Sequence, residues 1–495
     1  PQFGVRRREL EAERRRLSGA MRKHQTAPAP ALAQQLHDVR SALLDLEREM
    51  AIGQRQLIAD AAVIGCTLSK LVVDQAMWDW PRDAVVLDEA SMAGLPFVFA
   101  LALKGPRTLA CFGDFRQLPP IAVSDDVNAQ HWLGRDVFEA AGVVERIERD
   151  EYDPRLAILR TQYRMGEVIG GAVSNVAYYS LLSTHIDAKI RADRLALSSP
   201  VPGAEAVIVD TSAMRAICLK HSSSRFNPAA AGVSGLLAQL LGDSDLSVGV
   251  ISPYRAQAQL LNALLRSSTG VTAATMHRFQ GSERDAVILD LVDAAPMTGA
   301  SYLTGKNENL ALRLLNVGIS RARGKLFLVA DLDFVRHSFP TGSPAARFID
   351  ELTSLGAEVV PAMSLVSGQA SPAVAWHASW WEAVIEAVAA QKPERIELSL
   401  PSGFASPGLV DVIAALREQV TNVVLRAPLS TARQVEDLDI EVHLQPWNAP
   451  AIAILPASAT VSGAVAGAPC VLFKGEEVAV GLRRLVAGEE SPWRS

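Results

Sequence analysis

The stretch VVLDEASM, residues 85–92, is an apolar run followed by two adjacent carboxylates, Asp88 and Glu89. A β-branched run of this kind is typical of a buried parallel strand, and the acidic pair follows its carboxyl end. Open α/β sheets bind their ligands at that end of the strands. One carboxylate there can hold Mg²⁺ while its neighbour orients a water molecule against a terminal phosphate. On its own, an acidic pair after a strand is just as typical of a helix N-cap or a surface turn.

A second stretch of the same design is CFGDFRQLPP, residues 111–120. An apolar strand is followed by Gly113 and Asp114, and Gln117 comes within reach of the same phosphate. In isolation Gln117 is typical of a turn residue. Two such turns in this order favour a nucleotide-phosphate site over two unrelated turns.

Length and charge set broad limits. The chain has 495 residues, enough for roughly three domains. Its formal net charge of −6 gives no support to nucleic-acid binding, which would need a local groove. The arginines crowded into the first 25 residues are more typical of a solvated helix face than of a binding patch.

The four cysteines form no Cys-x-x-Cys pair, which argues against a disulfide framework or a zinc site. This pattern predicts a reducing, cytoplasmic location. We find no signal peptide and no uninterrupted apolar run long enough to span a bilayer, so no membrane partner is expected.

Apolar residues at helical spacing predict a helical hairpin over residues 1–60. Residues 61–71, AAVIGCTLSKL, are predicted to form a short strand that ends in a polar turn at Thr67. From there to about residue 352, strands and helices alternate, as in parallel sheets covered on both faces. Further strands are predicted at 85–87, 109–112, 207–209, 248–251, 286–291 and 326–329.

The predicted fold class is therefore α/β, with two parallel-sheet lobes and a smaller C-terminal α/β domain. The first lobe is predicted at 61–152 and the second at 153–355, and a Pro/Gly/Ser-rich stretch predicts a linker at 356–372. The accessory domain is predicted at 373–495.

Four further stretches carry arginine, glycine and polar residues next to strands: LRTQYRM, VGVISPYRAQ, TAATMHRFQGSERDAVIL and LLNVGISRARGKLFLVAD. Arg164 lies in the first and Arg321 in the last. Phosphoryl transfer spreads negative charge over the transferred oxygens, and rigid guanidinium groups stabilise that charge. Gly281 would let backbone N–H groups approach a phosphate closely.

The order DEAS, GDFRQLPP, QYRM, ISPYRAQ, HRFQGSE and NVGISRARG closely resembles the superfamily 1 helicases of the Upf-like, 5′-to-3′ branch. The resemblance covers about residues 55–335. It implies two RecA-like lobes, ATP and Mg²⁺ as cofactors, and single-stranded DNA or RNA as partner. It also implies that the hairpin at 1–60 is the stalk of this branch.

Matching positions carry the family roles over. Asp88 would bind Mg²⁺, Glu89 would position and deprotonate the attacking water, and Gln117 would sense the γ-phosphate. Arg164 and Arg321 would be arginine fingers from the second lobe. The remaining residues, which would bind the nucleotide or couple the lobes, are Gln280, Gly281 and Glu283. Those that would line the single-strand groove, or link it to the ATP site, are Thr67, Pro253, Tyr254, Thr275 and His277.

Several of these residues also have a plainer interpretation. Gln280 would cap a loop, His277 would be a hydrogen-bonded structural histidine, and Tyr254 would pack under a loop. Arg323 would pair with a surface carboxylate, and we leave it outside the predicted site. We favour the functional interpretation for the whole set, because one ATP site needs all of these residues together.

The chain departs from the family in lacking the phosphate-binding loop G-x-x-x-x-G-K-[ST]. The nearest stretch, GASYLTGKN at 299–307, has five residues between its glycines and ends in asparagine, so we interpret it as a loop. We therefore expect this sequence to be the C-terminal portion of a helicase that lacks its first ~100 to 200 residues. By itself it should bind ATP poorly and hydrolyse little.

The C-terminal stretch faintly resembles a phospholipase-D-like nuclease domain, whose signature is His-x-Lys-x-x-x-x-Asp. The matching stretch APAIAILP carries Ala449, Ala451 and Pro456 at those positions, so the resemblance implies a unit that cannot cut phosphodiesters. Such a unit would be a docking or binding module, through which the chain could bind a protein partner. Trp376, Trp380 and Trp381 are predicted to pack in a core, with base stacking as the alternative.

The predicted function is ATP-driven translocation on, or unwinding of, single-stranded DNA or RNA. A second hypothesis is a catalytically silent binding or scaffolding protein that retains the helicase fold. A third is the motor subunit of a defence or repair complex. The sequence does not decide between DNA and RNA.

Overall fold

The structure is a computed structural model of the 495-residue chain. It falls into two compact units, Pro1–Phe112 and Gly113–Ser495. The residues that it describes are 2–23, 30–298, 301–304, 308–367, 374–377, 380–400, 409–435, 437–438, 440–444, 452–456, 458–462, 470–474 and 476–487. Within these ranges, no helix combines the length and the apolar character that crossing a membrane would require.

The first unit begins with two long helices, α1 (Gln2–Lys23) and α2 (Pro30–Asp60). They pack along an apolar seam of Leu17, Leu36, Val39 and Leu43, whose spacing on α2 is helical. The hairpin expected from sequence is therefore present, while its assignment as a stalk stays a prediction.

The rest of the first unit is a small α/β layer. Its elements are α3 (Leu68–Val73), α4 (Gln75–Asp79), β1 (Ala84–Leu87), a 3-10 turn (Ala90–Met92), α5 (Leu95–Leu103) and β2 (Thr108–Cys111). The strands β1 and β2 pair in parallel, with Val85 opposite Leu109. We expected a buried strand at 85–87, but Val86 is 68% exposed. Among the described residues β1 pairs with β2 alone, so little sheet is available to bury it.

The strand predicted within residues 61–71 is wrong. Residues 61–67 have no regular structure, and residues 68–71 begin α3. Thr67 is the N-cap of this helix, because its Oγ1 accepts a hydrogen bond from the Lys70 N–H at 3.2 Å. The capping threonine, which favours a helix starting at Leu68, was therefore a stronger local signal than the apolar residues 61–66, which suggested a strand.

The second unit opens with three short helices, α6 (Val127–Leu133), α7 (Val137–Ala140) and α8 (Val143–Glu148). Two short parallel strands follow, β3 (Thr161–Gln162) and β4 (Ser183–Thr184), with α9 (Glu167–Ala177) between them and α10 (Ile186–Ala196) after them. The compact units divide after Phe112, so the GDFRQLPP segment belongs to the second unit. The domain boundary predicted at 152/153 stays a prediction.

A six-stranded, all-parallel sheet forms the centre of the second unit, in the order β12-β5-β11-β10-β8-β9. The strands are β5 (Ala206–Asp210), β8 (Val248–Ser252), β9 (Val271–Thr275), β10 (Arg284–Asp290), β11 (Ala322–Ala330) and β12 (Glu358–Pro361). A hairpin of β6 (Leu219–His221) and β7 (Ser224–Phe226) and a 3-10 turn (Ser212–Met214) lie after β5. Every strand predicted in this lobe is present.

Helices cover both faces of this sheet, which confirms the predicted α/β class. One face packs on α11 (Pro228–Gly242) and α12 (Arg255–Leu264). The other packs on α9 and on α14 (Glu308–Ile319) and α16 (Pro344–Ser354). Alternate residues of β11 supply the two cores: Phe327 and Val329 face the first, and Leu326 and Leu328 face the second. Two shorter helices, α13 (Met276–Phe279) and α15 (Leu332–Ser338), complete the lobe.

The C-terminal part is a seven-stranded mixed sheet in the order β13-β19-β18-β17-β14-β15-β16. Its elements are β13 (Val374–His377), α18 (Trp380–Gln391), β14 (Arg395–Ser399), α19 (Leu409–Gln419), β15 (Asn422–Ala427), α20 (Leu429–Ala432), a 3-10 turn (Arg433–Val435), β16 (Glu441–Leu444), β17 (Ile452–Leu455), β18 (Ser458–Ser462), β19 (Cys470–Lys474) and α21 (Glu476–Ala487). One face packs on α18 and α19, where Trp380 is 2% exposed and lies in the core as predicted.

The other face of this sheet shares one continuous core with the six-stranded lobe. Ile454 and Val471 of the sheet belong to the same apolar cluster as Leu236 of α11 and Leu260 of α12. The linker predicted at 356–372 also begins too early, because residues 358–361 form β12, hydrogen-bonded to β5. α17 (Ala362–Val366) follows it directly.

Three sequence predictions fall wholly or partly outside the described residues. They concern Ala449 and Ala451 of the degenerate nuclease signature, the side chain of Trp376, and most of the loop at 299–307. Within that loop, residues 302–304 form a turn. The phospholipase-D-like assignment stays a prediction.

Candidate nucleotide and nucleic-acid site

Asp88 and Glu89 follow β1 in the first unit, as expected for a ligand-binding strand end. Both are exposed, and the Asp88 Oδ1 accepts a hydrogen bond from the Glu89 N–H at 2.9 Å. Glu89 has φ 50° and ψ 42°, the left-handed region that residues other than glycine rarely occupy. The Ala90 N–H donates to the Phe112 carbonyl at 2.8 Å, which ties this turn to the end of β2. Strain of this kind is found at functional turns more often than elsewhere.

Gln117 and Arg321, from motifs far apart in sequence, meet in the second unit. The Arg321 Nη2 donates to the Gln117 Oε1 at 3.2 Å. The same guanidinium donates through Nε to the Val317 carbonyl at 3.1 Å and through Nη1 to the Ser282 carbonyl at 3.3 Å. Arg321 is 1% exposed. The structure thus brings together the predicted phosphate sensor and one predicted arginine finger.

Arg116, next to Gln117, fastens this loop to the lobe, and sequence reasoning did not single it out. It is 8% exposed. Its Nε donates to the Ala177 carbonyl at 3.1 Å and its Nη1 to the Asn309 Oδ1 at 3.0 Å. Nearby, a buried ion pair joins Arg313 of α14 to Asp136 at 3.0 Å. These contacts connect the segment after Gly113 to α9 and α14.

Glu283 lies between two arginines. Its Oε2 accepts from the Arg164 Nε at 2.8 Å, and its Oε1 accepts from the Arg323 Nε at 2.9 Å. Arg323 also reaches Asp285, at 3.4 Å. Partial burial favours the neutral carboxyl, but the hydrogen bonds from Arg323 and Arg164 outweigh it and lower the pKa of Glu283. Arg323, left outside the predicted site, therefore shares the carboxylate that orients the second predicted finger.

Gln280 and Gly281 form the turn between α13 and Glu283. Gly281 has φ 76°, where any other residue would be strained, so the turn requires glycine. Both polar atoms of the Gln280 side chain are buried, and neither has a hydrogen-bond partner among the described residues. An unpaired buried amide is costly, and a bound ligand would remove that cost. These observations fit the predicted nucleotide contact.

The five residues predicted to line the strand groove differ in exposure. Thr67, in the first unit, and His277 are exposed, and Thr275 is half-buried at the end of β9. Pro253 is buried, and Tyr254 is 2% exposed, with its hydroxyl donating to Asp293 at 2.9 Å. The Tyr254 ring therefore packs inside the lobe, as the plainer interpretation has it, and the role of its motif in lining the groove or linking it to the ATP site stays a prediction.

No group of three or more His, Cys, Asp or Glu side chains in the described ranges is arranged to hold a metal ion. Mg²⁺ in nucleotide sites commonly takes only one or two protein carboxylates, with phosphates and water completing its shell. Asp88, an exposed carboxylate at a strand end, fits that requirement.

Comparison with known families identifies the family of this chain. Two family models, each described as an AAA domain, match residues 5–125 and 141–333. All six motifs, from DEAS to NVGISRARG, fall within these two segments, in the family order. This chain belongs to the Upf-like helicases of superfamily 1.

Curated Upf-like relatives match the chain at moderate identity. An uncharacterized ATP-dependent helicase of Methanocaldococcus jannaschii is 27% identical over 57% of this chain and 40% of its own length. Regulator of nonsense transcripts 1 of Caenorhabditis elegans is 27% identical over 57% of this chain and 26% of its own. DNA-binding protein SMUBP-2 of Rattus norvegicus is 28% identical over 52% of this chain and 26% of its own length. The chain thus spans less than half the length of these relatives.

Among solved structures, the PRRSV helicase aligns with 53% of this chain and 38% of its own, at 17% identity and a TM-score of 0.27.

The Glu283 cluster predicts a pH-dependent stability. The pKa of Glu283 in the folded chain lies below its ordinary value of 4.5. The ionised carboxylate therefore stabilises the fold at pH values above 4.5, and this contribution is lost as the pH falls through the lowered pKa. Glu283→Gln should lower stability at pH 7 by about 1 kcal/mol, a figure that allows for solvent screening. The difference in Tm from the wild type should shrink as the pH falls below 4.5.

Thermal unfolding followed by circular dichroism between pH 3.5 and 7.5 measures this difference. Glu418→Gln, at an exposed position on α19, is the matched control. A Tm difference for Glu283→Gln that stays constant across this range would contradict the assigned ion pairs.

Proposed function

We propose that this chain is part of an ATP-driven motor that translocates on, or unwinds, single-stranded DNA or RNA. The contact between Gln117 and Arg321 carries this proposal, because it pairs a polar sensor with a buried cation. A guanidinium held by backbone carbonyls is pre-positioned for charge that develops on a transferred phosphoryl group.

The remaining residues receive roles by the same chemistry. Arg164, oriented by Glu283, supplies a second positive charge for the phosphates. Gln280 and the backbone at Gly281 contact the nucleotide. Asp88 would hold Mg²⁺, which would neutralise phosphate charge, and Glu89 would orient the attacking water and accept its proton.

For the nucleic acid we propose contacts from Thr67, Thr275 and His277. Thr275 and His277 lie at the carboxyl end of β9, where parallel sheets present their ligand-binding edge. Tyr254 supports this edge from inside the lobe through its hydrogen bond to Asp293, and its ring does not contact the nucleic acid.

We also propose a cytoplasmic location and a docking role for the C-terminal domain. The four cysteines form no disulfide with one another, as a reducing compartment favours; they are Cys66, Cys111, Cys218 and Cys470. The seven-stranded sheet offers a rigid platform for a protein partner, because its inner face is fixed to α11 and α12.

A second candidate is a catalytically silent scaffold with the same fold. The feature that separates it from the motor is a G-x-x-x-x-G-K-[ST] loop in the complete reading frame: its presence supports the motor, and its absence supports the scaffold. A motor subunit in a defence or repair complex is a variant of the first proposal, with further activities on other chains.

Steady-state ATPase assays of the complete reading frame, with and without single-stranded DNA and RNA, separate these candidates. The motor proposal expects turnover that rises at least several-fold with one of the nucleic acids. Absence of turnover with either nucleic acid, from a folded protein that still binds them, would favour the scaffold.

A further inference from the structure

A chain of buried hydrogen bonds links α14 and α9 to the Gln117–Arg321 pair. The Asn316 Nδ2 donates to the Tyr178 hydroxyl at 2.7 Å. That hydroxyl donates to the Asp114 Oδ2 at 2.5 Å, and the same oxygen accepts from the Gln117 Nε2 at 3.0 Å. The Gln117 Oε1 then accepts from Arg321 at 3.2 Å. All five residues lie in the second unit, although they come from three separate stretches of sequence.

The direction of every bond in this chain is fixed by chemistry. The amide nitrogen of Asn316 can only donate, so the Tyr178 oxygen accepts and its own proton points to Asp114. The Asp114 carboxylate can only accept, so it holds the NH₂ end of Gln117. The carbonyl end of Gln117 must then face Arg321, which can only donate. The chain therefore sets the orientation of the Gln117 amide, which could otherwise flip.

Burial makes this chain costly to break. Asn316 is fully buried, and its Nδ2 also donates to the Arg116 carbonyl at 2.9 Å. Burial, together with the charge of Asp114, raises the pKa of Tyr178 well above its ordinary value. The hydroxyl consequently remains a donor under all conditions in which the enzyme would work.

We propose that Tyr178 and Asn316 are positioning residues, which hold Asp114 and thereby lock Gln117 and Arg321 into one rigid phosphate-sensing pair. This inference rests on the proposed function for its catalytic consequence. It adds two residues, neither of which touches the nucleotide, that decide whether sensor and finger are correctly oriented.

Loss of the Tyr178 hydroxyl leaves the Asp114 Oδ2 with one of its two side-chain donors. Asp114 then anchors Gln117 more weakly, and the amide spends less time with its oxygen toward Arg321. A lost hydrogen bond of this type corresponds to about 1 kcal/mol in mutant series. We therefore expect Tyr178→Phe to lower kcat for ATP about 5- to 10-fold, with the KM for ATP changed less than twofold.

The kinetic experiment uses the complete reading frame with saturating single-stranded nucleic acid. Tyr152→Phe is the matched control, because it removes the hydroxyl of a tyrosine that is 84% exposed and is hydrogen-bonded to neither Asp114 nor Arg116. We expect it to stay within twofold of wild type. Tyr178→Phe combined with Gln117→Ala should be no slower than Gln117→Ala alone, since the tyrosine acts through the glutamine. Additive losses would overturn the proposal.

Hydrogen–deuterium exchange decides the same question without any turnover. The Arg116 N–H donates to the Asp114 Oδ1 at 2.9 Å, and the Gln117 N–H donates to the Asp114 carbonyl at 3.0 Å. A peptide over residues 113–118 should exchange faster in Tyr178→Phe than in wild type or Tyr152→Phe. Unchanged exchange there would overturn the positioning role.

The two arms separate this inference from the proposed function. An inactive wild type would refute the motor, and the exchange arm would still decide whether Tyr178 holds the loop. An active wild type with unaltered kcat in Tyr178→Phe would refute the positioning role alone.

Discussion

Arg321→Ala should lower the ATP turnover of the complete protein by about 10³-fold or more, the effect expected on removal of a transition-state arginine. The guanidinium is buried and held by two backbone carbonyls, so its charge is already placed before the phosphoryl group transfers. The KM for ATP should change far less than kcat. Steady-state ATPase with saturating single-stranded nucleic acid measures both.

Arg336→Ala is the control for this substitution. The Arg336 side chain is 66% exposed and pairs only loosely with Asp333, at 3.8 Å, so its loss should leave turnover within twofold of wild type. Because Arg321 also fills a buried space, circular dichroism must show that the variant is folded. A folded Arg321→Ala protein with nearly normal turnover would remove the finger role.

Glu89→Gln should abolish ATP hydrolysis and spare ATP binding. The amide retains the shape and hydrogen-bonding reach of the carboxylate, yet it cannot accept a proton from water. General-base catalysis is typically worth about 10²- to 10⁴-fold in rate. Binding of a fluorescent ATP analogue and the rate of phosphate release, measured on the same preparation, separate the two effects.

Asp83→Asn is the matched change at the opposite end of β1, where the carboxylate is also exposed. It should leave both binding and hydrolysis unchanged. Normal phosphate release by Glu89→Gln would assign the base to another group. Loss of nucleotide binding in this variant would instead point to a structural role for the strained turn at Glu89.

Much of the fold could be predicted from sequence because its core strands are apolar runs bounded by turns. The strands predicted at 207–209, 248–251, 286–291 and 326–329 are all present within the six-stranded sheet. The strand β12 was missed, since its four residues lie within 356–372, the range assigned to a linker because a Pro/Gly/Ser-rich stretch begins at Pro361. Only pairing with β5, about 150 residues earlier, makes it a strand.

Site residues whose chemistry follows from their own type and motif could be predicted from the sequence. Those whose role depends on a partner distant in sequence could not. Arg321 and Gln117 were found from motifs alone. Arg323 was left out because the sequence does not show that it shares Glu283 with Arg164. For Tyr254 the sequence left a role at the groove and packing under a loop both open, because nothing local reveals its hydrogen bond to Asp293, a contact across 39 residues. Pairings over such separations are set by tertiary packing.

The core shared by α11, α12 and the seven-stranded sheet fixes the accessory domain rigidly to the six-stranded lobe. Ile454 and Val471 pack in the same core as α11 and α12, so a partner bound to the opposite face of the sheet would move together with these helices. Truncation of the chain after residue 367 would therefore expose the apolar surface of α11 and α12 that this sheet covers, and we expect the truncated protein to aggregate.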